Sequence, residues 1–301
     1  MVKLISSFMI FMSLSIHAQQ LGDTSFKAKN TIKTFSAAQA PIVLLDEAHH
    51  NFHTMDGRYR PFVDILQSDG YLVKKHKESF TKKSLAHADI LIISNALSVK
   101  NVNDWDLPNY SAFSREEIEA VYQWVKNGGS LFLIADHMPF PRAAENMAAI
   151  FGFQFNNGYV EEVTNKAQLF EQDNGTLLAH PILKGTGLKE EITSVKAFTG
   201  QAFLSPPNAK PLLVFGHSAI SYMPTKSWGF PDDTPEISVK GWNQGATLEF
   251  DKGRIVVFGE AAMFTAQVSG KEKMKMGVIA EGAEQNEQFL LNIMHWLSRK
   301  I

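Results

Sequence analysis

This 301-residue chain is 45% apolar and carries 29 basic against 31 acidic side chains, a formal net charge of −2. Charge so balanced, with the basic residues scattered, gives no electrostatic ground for a nucleic-acid partner or an anionic membrane surface. There is no cysteine, which excludes disulfides, a lipid-modified N-terminal cysteine, thiolate metal sites and a thiol nucleophile.

The first residues have the form of an export signal. Lys3 supplies the positive region, Leu4 to Ile16 an apolar run interrupted by serines, and Ile16-His17-Ala18 a small-residue cleavage site that leaves Gln19 first. The run is shorter than the roughly 20 residues of a spanning helix, and no comparable one follows. The expectation is therefore a signal peptide at 1–18 and an exported, periplasmic or extracellular protein with no membrane span in the mature chain. Residues 19–40 are polar and small and read as a tether. Residues 41–301 suffice for a single domain held together by its core.

Pro41-Ile42-Val43-Leu44-Leu45 is the short apolar run of a buried strand. Directly behind it come Asp46, Glu47, His49, His50 and His53, two carboxylates and three imidazoles within one turn-rich stretch. Pro61 suits the first turn of a helix; Phe62, Ile65 and Leu66 give that helix a buried stripe, and Gly70 ends it. Tyr71-Leu72-Val73 is a second strand. Asp89 to Ser94 is a third, whose nearly continuous apolar character suits a parallel strand covered on both faces. A loop over 101–113 with Trp105, Pro108 and Tyr110 leads to the capping box Ser114-Arg115-Glu116-Glu117. The helix behind it buries Ile118, Val121, Tyr122 and Val125 and stops at Gly128-Gly129. Ser130 to Ala135 forms a fourth strand that delivers Asp136 and His137. Strands alternating with amphipathic helices predict an α/β fold with a doubly wound, mostly parallel sheet. Residues from about 155 to 245 are irregular and hold several prolines, an insertion suited to a pocket wall. Residues 246–250 and 254–258, joined by Asp251-Lys252-Gly253, predict a late hairpin that ends at Glu260. A last helix carries Phe289, Leu290, Ile293, Trp296 and Leu297 on one side.

Several of these segments recur together elsewhere: Asp46-Glu47-Ala48-His49, Gly57-Arg58-Tyr59, Gly128-Gly129-Ser130-Leu131, Gly253 to Gly259, and Asn286 to Asn292. Over roughly residues 40–155 and 245–300 the chain resembles the class I glutamine amidotransferase-like superfamily. The branch it is most like holds poorly characterised bacterial domains related to gliding-motility and intraflagellar-transport proteins. The resemblance implies a flavodoxin-like sheet. Amidotransferases of this superfamily carry a cysteine at the turn after a central strand, which here corresponds to Ala135-Asp136-His137-Met138. Without a cysteine, thiol-dependent glutamine hydrolysis is out, and members of this branch include non-catalytic binding domains.

In an open α/β sheet, ligands bind beyond the carboxyl ends of the strands. Three such ends carry the candidate chemistry: Asp46 to His53, Asp136-His137, and Glu260. Imidazole and carboxylate are the thiol-free ligands of zinc and related divalent transition metals, which makes His49, His53 and Glu260 candidate ligands, with Glu47 or His137 activating water and Asp136 assisting. The same groups serve metal-free acid/base catalysis equally well. They also serve a purely structural role, since carboxylates and histidines behind a strand cap helices and satisfy loop amides. Arg58 could hold an anionic group, and the loop aromatics Trp105, Tyr110, Trp228 and Trp242 could stack on a sugar ring or simply pack under the loops. The expected function is an exported hydrolase-type enzyme, metal-assisted or not, acting on a small or carbohydrate-derived substrate. The alternative is a non-catalytic ligand-binding or scaffolding domain.

Overall fold

The computed structural model describes residues 20–162, 168–270 and 273–301; the expected signal peptide lies outside them. In chain order the main elements are β1 (Ile42–Asp46), α1 (Arg60–Ser68), β2 (Leu72–His76), β3 (Ile90–Ser94), α2 (Arg115–Lys126), β4 (Ser130–Ile134), α3 (Phe140–Ala149), β5 (Gln154–Phe155), β6 (Tyr159–Glu162), β7 (Gln168–Glu171), β8 (Ser194–Ala197), β9 (Phe203–Leu204), β10 (Lys210–Val214), β11 (Ala219–Tyr222), β12 (Glu236–Ser238), β13 (Asn243–Phe250), β14 (Gly253–Phe258), β15 (Ala266–Ser269), β16 (Met274–Gly277) and α4 (Asn286–Leu297).

The central sheet runs β2-β1-β3-β4-β14-β13-β9-β5, with β10 also pairing β13. Its first five strands are parallel, and β14 turns back antiparallel into β13 as the late hairpin. The parallel part has the flavodoxin-like order 2-1-3-4-5, with β14 as fifth strand. That order reverses between β1 and β3, and the switch point opens a crevice at their carboxyl ends.

Alternation along the strands explains why both faces are covered. Val43 and Leu45, Ile90 and Ile92, Phe132 and Ile134 point to the side of α1 and α4. Leu44, Leu91 and Ile93, Leu131 and Leu133 point to the side of α2 and α3. Each such fully buried aliphatic or aromatic side chain contributes about 1.5–3 kcal/mol. The capping box forms as expected, Ser114 Oγ accepting from the Glu117 amide while Glu117 accepts from the Ser114 amide. Of the stripe expected on α2, Val121 and Val125 are buried, whereas Ile118 and Tyr122 are half-exposed at its edge. Helix α4 is buried on nearly every side, which is why its apolar residues spread beyond one stripe.

Two organisational expectations change. The described part of the segment read as a tether is a packed strap. Leu21–Gly22 pairs with β15, and Phe26 and Phe35 pack against the core. The carboxylate of Asp69 accepts from Thr34 N and Asn30 Nδ2, each at 3.1 Å, and meets His295 Nε2 at 2.7 Å. The insertion, besides walling a cleft, lends β5, β9 and β10 to the central sheet. It also builds a second sheet, β12-β11-β6, beside the crevice.

Candidate functional site

The loops leaving β1, β3, β4 and β14 are bound to one another by backbone hydrogen bonds: Phe52 N donates to Asn95 O, Leu97 N to His49 O, Asn95 N to Ile134 O, and Ala135 N to Phe258 O. This lattice places two constellations back to back.

The first is structural. His49, 7% exposed, lies with Nδ1 2.9 Å from both carboxylate oxygens of Asp46 and Nε2 3.0 Å from Glu117 Oε1. Phe80 and Phe113 flank its ring, each at 4.6 Å between centroids. Burial alone would lower the imidazole pKa, but hydrogen bonds and charge from Asp46 and Glu117 outweigh it and raise the value. Glu117 also accepts the amides of Ser114 and Phe80. Burial opposes its ionisation, yet the Ser114 bonds and His49 hold it down to about 2. Asn51 completes the network, its Nδ2 donating to Asp46 Oδ2 and to the carbonyl of Ser94. With both ring nitrogens engaged by carboxylates, His49 has no lone pair to offer a metal.

The second constellation lines a cavity of about 30 Å³ at the crevice, room for a water molecule. Four loops contribute to it: His53 from behind β1, Asn95 from behind β3, Asp136 and His137 from behind β4, and Glu260 from behind β14. Phe52, Phe140 and Trp228 are among its apolar walls. His53 is 2% exposed, stacks on Tyr59 at 4.3 Å, and has Nδ1 3.2 Å from Ser94 Oγ. Burial first, then Arg58 and His137, push its pKa well below the usual histidine value, which favours the neutral ring. His137 Nδ1 is 2.8 Å from the carbonyl of Met138. Donation to that carbonyl requires a proton on Nδ1. The ring is stacked on Tyr159 at 4.6 Å.

Glu260 is 1% exposed. Its oxygens accept the amides of Ala262 at 2.8 Å and Met263 at 2.7 Å. Burial and then the Asp136 charge drive its pKa well above the usual carboxylate range, against those amide bonds. Asp136 is itself oriented, its amide donating to Asn95 Oδ1 and its Oδ1 accepting the His137 amide. Asn95 holds a left-handed backbone, φ 48°, which asparagine tolerates better than most residues. The pocket therefore gathers Glu260, raised by burial and by the Asp136 charge, with Asp136, His53 and His137.

Several sequence-based assignments are corrected by this geometry. The metal set His49, His53 and Glu260 is not assembled, because His49 belongs to the Asp46–Glu117 clamp. Among the described residues no group of three or more metal-ligating side chains is positioned to hold an ion. Glu47 does not face the pocket; its Oε1 accepts the Met55 amide at 2.8 Å and closes the loop. Arg58 lies with its guanidinium 3.8 Å over the Phe52 ring and donates Nε to the carbonyl of Gln20, lining neither cavity. Trp105 packs edge-on against Phe52 and Phe140 beneath the loop, and Tyr110 lies at the surface under Lys100. The aromatic residue that reaches the site is Trp228. Asn95 had no motif to announce it, and Tyr59 stood only within the Gly57-Arg58-Tyr59 segment, with no role assigned. Glu117 was legible only as half of a capping box, although a carboxylate at a helix start is where a cation can gather.

No known protein family matches the chain, and no curated protein matches it by sequence. Solved structures do. The mmIFT52 N-terminal domain is similar at 14% identity, over 85% of this chain and 97% of that one, with a TM-score of 0.60. A cytoplasmic protein from Salmonella typhimurium LT2 is similar at 13% identity, over 85% and 99%, with a TM-score of 0.50. A thua-like protein from Parabacteroides merdae matches at 14% identity over 87% and 91%, with a TM-score of 0.46. At these identities the likeness is one of fold, carried by the first two. The flavodoxin-like α/β fold is thus shared with an intraflagellar-transport domain, as the resemblance implied. No helix among the described residues is long and apolar enough to cross a membrane.

Proposed function

We propose that this chain is an exported hydrolase-type enzyme of the amidotransferase-like superfamily that works by acid/base chemistry instead of a thiol, on a small or carbohydrate-derived substrate. The observation that carries the proposal is Glu260, buried beside Asp136 and raised in pKa by burial and by the Asp136 charge, in a pocket also lined by His53 and His137. A carboxyl group raised by burial and by a neighbouring carboxylate is suited to the role of general acid. In this reading His137 Nε2 or Asp136 takes the proton of an attacking water. Glu260, whose protonated form burial favours, gives its proton to the leaving group. His53 and Tyr59 fix the floor, and Asn95 aims Asp136. No step is routed through a metal, since His49, one of the expected ligands, is held between Asp46 and Glu117 away from His53 and Glu260. Export is supported by the leader-like first residues.

The test is a panel of chromogenic ester, amide and glycoside substrates run on the mature protein, with D136N and E260Q alongside. A turnover that falls at least a hundredfold in both variants, while each melts within a few degrees of the parent, is the expected result. Turnover unchanged by either substitution would remove this pocket from the chemistry.

One observation favours a second reading, a ligand-binding domain without catalysis. Both Glu260 oxygens already cap the Ala262–Met263 turn, as a purely structural carboxylate would. Under that reading E260Q lowers stability and no substrate in the panel turns over.

A further inference from the structure

Beside the small cavity, and sharing Phe198, Thr199 and Trp228 with it, lies a cleft of about 660 Å³. This is the size range of small-molecule sites. Its wall is the second sheet, and the register shows how it is built. Tyr159 of β6 stands opposite Tyr222 of β11, which stands opposite Glu236 of β12. Glu161, two residues along β6 from Tyr159, shares that face. Trp228 and Phe230 close the cup: Trp228 lies 4.8 Å and Phe230 5.1 Å from the Tyr159 ring, and Phe230 5.9 Å from the Tyr222 ring. Trp228 is held in the left-handed region, φ 59°, and its amide bonds to Tyr159 Oη. The ring is thus fixed by its neighbours at some backbone cost.

The charge of the cleft is one-sided. Glu161, Glu162, Asp232 and Glu236 line it, and the described lining residues include no lysine, arginine or histidine. None of the four carboxylates is ion-paired among the described residues. The Tyr222 hydroxyl is raised by burial and then by the charges of Glu161 and Glu236. An anionic ligand would meet uncompensated repulsion here. A neutral sugar would stack but leave the carboxylates facing one another. Aromatic faces around a negative rim are the surroundings that attract an ammonium group, through ring quadrupoles and charge together.

We infer that this cleft binds an organic cation. Its ammonium group is seated among Tyr159, Tyr222, Trp228 and Phe230 and faces Glu161 and Glu236. The uncharged remainder of the molecule extends past Thr199 toward Asp136 and Glu260. That extension names the substrate class of the proposed hydrolase and rests on that reading; the cation site itself does not.

Pairs of probes that differ only in charge test it by calorimetry on the mature protein. Choline is compared with 3,3-dimethyl-1-butanol, and glucosamine with glucose. A cation preference of at least tenfold is expected for whichever pair binds. It should weaken as salt is raised, and fall about tenfold in the double variant E161Q/E236Q and in W228A. All three carboxylate and tryptophan positions are at least partly exposed, so folding is checked simply by circular dichroism. If choline binds, the cleft reads a quaternary head; if only glucosamine binds, it reads an amino sugar. Equal binding of the neutral partners, no binding of any cation, or cation binding indifferent to both variants overturns the inference. D136N separates the two proposals: it should abolish turnover while leaving cation binding within twofold.

Discussion

Replacing His49 by alanine is the sharpest test of the division between a structural clamp and a reactive pocket. The imidazole bridges two carboxylates, Asp46 at 0% exposure and Glu117 at 9%, through contacts of 2.9 and 3.0 Å. His49→Ala removes the only cation between them and the ring between Phe80 and Phe113. Breaking a buried pair costs about 3–5 kcal/mol, because the remaining charge is left uncompensated. At about 2–4 °C per kcal/mol for a chain of this size, melting should fall by about 10 °C. The pH dependence is fixed in sign by the two shifts. The raised His49 contributes stability that is complete below its unfolded value of 6.5 and is lost as pH climbs through its folded value. The lowered Glu117 contributes stability that is complete above 4.5 and is lost as pH falls toward about 2. The clamp is therefore strongest between these limits. Differential scanning fluorimetry across pH, with nitrogen-15 NMR of the imidazole, measures both effects. A variant melting within 2 °C of the parent, or a His49 ring that deprotonates below 6.5, would refute the clamp.

Four further outcomes follow from single contacts. Asp136→Asn removes a charge that holds Glu260 protonated, so the carboxyl stretch of Glu260 in difference infrared spectra should titrate at lower pH than in the parent; an unmoved titration would uncouple the pair. Asp69→Ala strips the acceptor shared by Thr34, Asn30 and His295. It should cost roughly 3 kcal/mol and expose the strap to proteolysis within residues 20–35, whereas an intact strap under limited trypsin would show it is held by other contacts. Gly200→Ala places a Cβ 2.2 Å from the carbonyl of Gly259 at a φ of 144°. Because that strand end carries Glu260, the substitution should lower both stability and turnover, and a variant with parental kinetics would show the turn to be slack. N-terminal sequencing of the secreted protein should begin at Gln19; a retained Met1 would contradict export by cleavage.

What the sequence disclosed, and what it did not, divides along the range of the interactions. The parallel strands were legible because each is a short apolar run whose burial is local to its own pattern, and the hairpin because Asp251-Lys252-Gly253 is a turn by composition. The Ser114–Glu117 box was legible because its partners are three residues apart. The strap was misread because its anchors lie far along the chain: Asp69, β15, and Glu287, whose Oε1 accepts the amides of Lys29 and Asn30; polar residues bound to distant carboxylates look like solvent-facing ones. The metal set was misplaced for a similar reason. His49 and His53 are four residues apart and suggest a shared face in a helix, yet Asp46 to His53 is a loop. There, partners from α2 and β3, not spacing, decide where each ring points. Trp228 was visible only as one of several loop aromatics; the strand register that makes it the wall of a cleft is a property of the insertion's own sheet.

The loop behind β1 shows how one segment supports two opposite electrostatic demands. On one side Asp46 and Glu117 keep His49 charged, and on the other burial keeps His53 neutral. The difference lies in the partners: the first ring has a carboxylate on each nitrogen, the second a serine hydroxyl and a tyrosine face. A charged ring anchors, since moving it would strand two buried carboxylates. A neutral ring adds no counter-ion to Asp136 and Glu260, so burial and the Asp136 charge are left to raise Glu260. Were His53 protonated, its positive charge in the same pocket would favour an ionised Glu260 and remove the proposed acid. The clamp and the pocket are thus linked through Asn51, which ties Asp46 to the strand end that bears Ser94. Asn51→Ala should accordingly disturb both, lowering stability by about 1–3 kcal/mol and shifting the pH profile of any turnover. A stability loss with an unshifted profile would show that the two constellations are neighbours without being coupled.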